Sequence, residues 1–101
     1  MITIEIHGLN FPEAHKLRAK IFEEIADKKY ASMVGIEIFT TDIIGINGNV
    51  KPKLCLATNC GQYADEILIF LQDFTFKNTS PKMSVGYIKL SDYNYYHAPK
   101  P

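Results

Sequence analysis

A chain of 101 residues with 47% apolar and 22% charged side chains is long enough for one folded domain, and its balance excludes disordered, collagen-like and low-complexity classes. Eleven basic residues match eleven acidic ones, and with no basic run this argues against nucleic-acid and anionic-membrane partners. No apolar run approaches the roughly 18 residues that span a bilayer, and the first residues lack the pattern of a secretory leader, so a cytoplasmic protein is expected.

The chain opens in a strand. In "MITIEIHG", Ile2, Ile4 and Ile6 alternate with Thr3, Glu5 and His7, the period of two that separates a core face from an opposite face. Asn10 followed by Glu13 resembles a capping box. Ala14, Leu17, Ile21 and Ile25 then share one face of a helix, with Pro12 tolerated in its opening turn. Beyond Lys29, "MVGIEIF" at 33–39 is a second strand. The segment "DIIGINGNVKP" at 42–52 joins the halves. Its Asn47-Gly48 pair suits a tight hairpin, and Ile43, Ile44 and Ile46 form a short ribbon too apolar to stay uncovered.

The second half repeats the first. "KLCLATNC" at 53–60 corresponds to "TIEIHGLN" at 3–10, and "SVGYIKL" at 84–90 to "MVGIEIF". Between them Asn59 and Gln62 repeat the cap, and Ala64, Ile67, Leu68, Leu71 and Phe74 repeat the apolar stripe. Ile69 and Phe70 lie off that stripe, as a broad helix–sheet contact or a subunit contact would require. Cys55 and Cys60 match no zinc or CxxC spacing and read as reduced thiols. Cys60, in the first helical turn, has a setting that can lower a thiol pKa, although an inert thiol is the preferred reading.

These elements form a single α+β domain, residues 1–101. Its pseudo-repeats are 1–42 and 53–92, joined by a hairpin at 43–52 and followed by an aromatic tail at 93–101 with Tyr93, Tyr95 and Tyr96. The order is βαβ, hairpin, βαβ: a four-stranded sheet with two helices on one face. Two strand orders fit. A ferredoxin-like sheet splits each βαβ unit with an inserted strand, whereas the alternative sets two parallel pairs side by side. Alternation places Ile2, Ile4, Ile6, Val34, Ile36, Ile38, Leu54, Leu56, Ile88 and Leu90 toward the helices. Thr3, Glu5, His7, Glu37, Cys55, Tyr87 and Lys89 then fall on the other face. There the two carboxylates need Lys89 or water to offset desolvation. Together with His7 they are read as cross-strand pairs in preference to an acid–base set.

The run "MVGIEIFTTDIIGINGNVKPKLCLAT", a second helix and then "GYIKLSDYNYY" resemble the tautomerase superfamily that includes macrophage migration inhibitory factor, and more nearly its uncharacterised bacterial members. The resemblance implies a homotrimer whose active site holds an amino-terminal proline acting as a base. Position 2 is Ile2 instead, and a bulky second residue should leave Met1 in place as a primary amine with an ordinary pKa of about 7.7 to 8.0. The same resemblance makes Tyr87 a pocket residue of a neighbouring subunit and Lys29 a substrate-binding lysine. Their plainer readings are an interfacial strand tyrosine and a solvated helix-end lysine.

The expected protein is therefore a trimer without the catalytic proline that binds a small molecule or a partner non-catalytically. The first alternative is a weak tautomerase acting on a small enol, keto or carboxylate substrate, with Met1 as base and Lys29, Tyr87 and Lys89 as binders. The second is a ferredoxin-like regulatory module. No GxGxxG, P-loop, HExxH or Gly-x-Ser-x-Gly occurs, so neither cofactor nor metal is expected.

Overall fold

The structure, a computed structural model, describes residues 2–39, 52–58, 61–79 and 83–89. Met1, residues 43–51 of the connection with its apolar ribbon, the Asn59 cap, Cys60, Leu90 and the aromatic tail lie outside the described residues. The elements are β1 (Ile2–His7), α1 (Phe11–Ile25), a 3-10 turn (Ala31–Met33), β2 (Val34–Phe39), β3 (Lys53–Thr58), α2 (Gly61–Asn78) and β4 (Ser84–Lys89).

α1 starts where its cap dictates. The Asn10 Oδ1 accepts from the Glu13 amide at 2.9 Å, satisfying one of the first-turn N–H groups that have no partner within the helix. Asn10→Ala is expected to cost about 1 kcal/mol of unfolding free energy in urea titrations. A change below a few tenths would show that the cap contributes nothing. At the other end Ala31 and Met33 donate to the Lys28 and Tyr30 carbonyls, winding the chain tightly into β2. α2 ends on its own side chains: Asn78 Nδ2 donates to the Phe74 carbonyl at 3.0 Å and Thr79 Oγ1 to the Thr75 carbonyl at 2.7 Å.

The strand order is β2-β1-β3-β4. β1 pairs parallel with β2, β3 pairs parallel with β4, and β1 meets β3 antiparallel. Each βαβ unit is thus a pair of direct neighbours, which excludes the ferredoxin-like order and establishes the side-by-side arrangement of tautomerase-like proteins. Both helices cover one face. Ile2, Ile4, Ile6, Leu54 and Leu56 are fully buried against Ala14, Leu17, Ile21 and Ile25 of α1 and Ala64, Ile67, Leu71 and Phe74 of α2. Phe70 belongs to the rim of this core, its ring 5.7 Å from that of Phe74, whereas Ile69 is 66% exposed.

One strand is phased differently from the sequence expectation. Register aligns Leu54 with Val85 and Leu56 with Tyr87, while Cys55 and Ala57 align with Gly86 and Ile88. Val85 packs on the core, and a Cβ placed on Gly86 would sit 3.9 Å from the Cys55 sulfur. Tyr87 therefore lies on the helix-bearing side and Ile88 on the helix-free side, the reverse of the alternation read from Ile88 and Leu90. The backbone of Lys89 aligns with Thr58, in a different row from Glu5 and Glu37. β4 is an edge strand, where burial on neither side enforces the pattern.

Candidate functional site

The helix-free face is built as rows across the sheet. Register sets Glu37, Glu5, Cys55 and Gly86 side by side, flanked by Gly35, Thr3, Ala57 and Ile88 on one side and by Phe39, His7, Lys53 and Ser84 on the other. Like charges on Glu5 and Glu37 face each other across the β1–β2 pair, an unfavourable placement if nothing intervenes. His7 relieves it: its Nε2 lies 2.8 Å from the Glu5 Oε1, with both side chains less than a fifth exposed. The imidazole in turn stacks on Phe39, ring centroids 4.4 Å apart and the planes 1° from parallel. Phe39 was absent from the sequence-based site, though its strand parity with Glu37 placed it there.

Cys55 is 4% exposed although no helix covers it; it lies on the inner strand β3, between Glu5 of β1 and Gly86 of β4. Burial pushes its thiol pKa up, the Glu5 carboxylate adds to the rise, and Lys53 opposes it. The thiol is therefore protonated at neutral pH and is a poor nucleophile. In a Cys60→Ser background, alkylation of Cys55 should accelerate only above the ordinary thiol range of about 8.5. Glu5→Gln should move that rate profile to lower pH and Lys53→Gln to higher pH. A profile at or below the ordinary range would contradict this environment. Among the described residues no group of three His, Cys, Asp or Glu side chains is arranged to hold a metal.

Of the residues named for binding, Lys29 and Tyr87 lie on opposite edges of the sheet, whereas Tyr87 and Lys89 share β4. Ile2 pairs with Val34 and Thr58, so the amino end of β1 lies at the same end of the sheet as the Lys29–Met33 turn. Lys29 is exposed and leads into β2 at one sheet edge, while Tyr87 lies on β4 at the other. Three strand spacings, about 14 Å, separate those edges. What packs near this end is Tyr30, which sequence periodicity did not single out. It is 1% exposed, tilted against Tyr63 at 5.7 Å, and its hydroxyl has no hydrogen-bond partner among the described residues. Burial raises the phenol pKa, with Glu66 and Asp27 adding to the rise.

No protein-family model matches the chain, and no curated protein does. Among solved structures the chain is similar to a domain of unknown function (DUF1904) from Sebaldella termitidis ATCC 33386. The identity is 16% and the TM-score 0.64, over 95% of this chain and 94% of that one. At that identity the likeness shows the fold alone, and the shared fold resembles the tautomerase topology.

Proposed function

We propose that the protein is a self-associating, tautomerase-like homotrimer that binds a small molecule or partner without catalysis, its helix-free sheet faces turned toward one another. The observation that carries this reading is the composition of that face. Phe39 is 37% and Ile88 43% exposed there, at its opposite corners, around a middle that holds Cys55, Ala57 and the Glu5–His7 pair. A single sheet leaves such a face in water, and partner copies would remove it. Lys29 and Tyr87, apart within one chain, would meet only if one subunit's β2 edge neighbours another's β4 edge.

The chemistry argues for binding over turnover. Ile2, the first residue of β1, stands where the resembling enzymes carry proline, and the thiol on the helix-free face is held protonated. Light scattering at micromolar concentration is expected to give three times the chain mass; a stable monomer would overturn the assembly. Tautomerisation of phenylenolpyruvate should be absent or very weak. A robust rate abolished by acetylating the amino terminus would restore the catalytic alternative with Met1 as base.

A further inference from the structure

At the end of β1 away from Ile2, Gly8 adopts a φ of 82°, a conformation that turns the chain off the sheet toward the Asn10 cap. Beside this turn the described residues line an open cleft of about 590 Å³ between the first half of α1 and the end of α2. Sites for small molecules commonly span roughly 300–1,000 Å³. The apolar part of its lining is Leu9, Leu17 and Met83, all packed on the core. The cationic part is Lys16 and Lys20, spaced one turn apart so that they share a helix face. Both lysines are exposed, and the ion pairs among the described residues involve other side chains.

The far wall is the carboxyl end of α2, which in general repels anions. That end keeps terminal carbonyls unpaired within the helix, so it limits how much negative charge the cleft can take. Glu13, in the same lining and one turn before Lys16, sets a limit on charge: it offsets part of the two ammonium groups.

We propose that this cleft binds a small organic monoanion with a short apolar tail, a carboxylate whose head group sits on Lys16 and Lys20 and whose tail lies against Leu9, Leu17 and Met83. The site lies about 20 Å from the amino end of β1, one strand length away. It does not depend on the trimer, and either conclusion can fail alone.

Calorimetric titration of the full chain with octanoate, octanol, acetate and octyl phosphate tests it. Octanoate should bind saturably, with octanol and acetate weaker by about tenfold or more, since each lacks one of the two contacts. Lys16→Gln with Lys20→Gln should weaken octanoate by about the same factor and leave octanol unchanged. Glu13→Gln should tighten octanoate and raise octyl phosphate toward it. These exposed substitutions should leave the urea midpoint close to that of the parent chain, so a loss of binding can be separated from a loss of fold. No saturable octanoate binding, equal affinity for octanol, or an unaffected double variant would each overturn the proposal.

Discussion

Phe74→Ala is expected to remove about 3–5 kcal/mol of unfolding free energy, a large part of the roughly 5–15 kcal/mol that a small domain possesses. Phe74 is 1% exposed, and its neighbours along the α2 stripe, Ile67 and Leu71, are fully buried, as are Ile4 and Leu56 in the sheet below. Truncation leaves a void that these packed side chains cannot collapse into, so lost contact adds to lost transfer energy. Urea titration should show a lower midpoint with an unchanged slope. Ile69→Ala is the internal comparison: it lies on the same helix, 66% exposed, and should stay within about 0.5 kcal/mol when measured on the dissociated chain. Equal shifts for the two variants would mean that the core does not lie under Phe74.

Tyr30→Phe is expected to act in the opposite direction, stabilising the protein by about 1–3 kcal/mol. A buried hydroxyl without a partner retains the cost of leaving water, and phenylalanine fills the same space without that group. The effect should grow with pH. In the folded chain burial, Glu66 and Asp27 raise the phenol pKa above its unfolded value, so the unfolded state releases its proton first. Stability from this source is intact below the unfolded tyrosine pKa of about 10 and is lost as pH rises from there toward the folded value. Cys55, also shifted up, gives a similar loss beginning lower, but it is common to both proteins and cancels in the comparison. Paired unfolding curves at neutral and alkaline pH decide the matter. If Tyr30→Phe destabilised the chain at neutral pH, the hydroxyl would have to possess a partner.

How far the sequence revealed all this depended on how strongly burial enforced each pattern. Ile2, Ile4 and Ile6 lie in a central strand and the helical stripes lie on the core, so their periods were unambiguous and the β1, α1 and α2 assignments match the structure. Strand order needed more than period, since both candidate sheets have the same faces and both fit the repeat; the family resemblance favoured the observed one. β4 was misphased because Val85 and Tyr87 compete with Ile88 and Leu90 for the apolar face of a weakly buried edge. The repeat itself held the answer: aligning Val85-Gly86 with Val34-Gly35 places Tyr87 opposite Ile36, on the helix side. Tyr30 had no such signal. It sits in a turn between a helix and a strand, where neither period applies and only tertiary packing makes it buried.

The antiparallel β1–β3 ladder has a geometric consequence. Equivalent strands of the two halves run against each other, so the halves are related by an approximate two-fold axis normal to the sheet, passing near the Ile4–Leu56 and Glu5–Cys55 pairs. α1 and α2 then point in opposite directions, and each end of the sheet carries the beginning of one helix and the finish of the other. The cleft beside Lys16 and Lys20 accordingly has a counterpart of about 340 Å³ at the opposite end, lined by Lys28, Tyr30, Glu66 and Phe70 among others. Under the helix alignment that superposes Ala14, Leu17 and Ile21 on Ala64, Ile67 and Leu71, Lys16 corresponds to Glu66 and Lys20 to Phe70. One cleft is the larger and carries two cations; its twin has a carboxylate and an aromatic ring at the matching positions. The anion proposed above therefore has one matching cleft per chain, and titration with octanoate should give a stoichiometry of one where symmetry alone would give two.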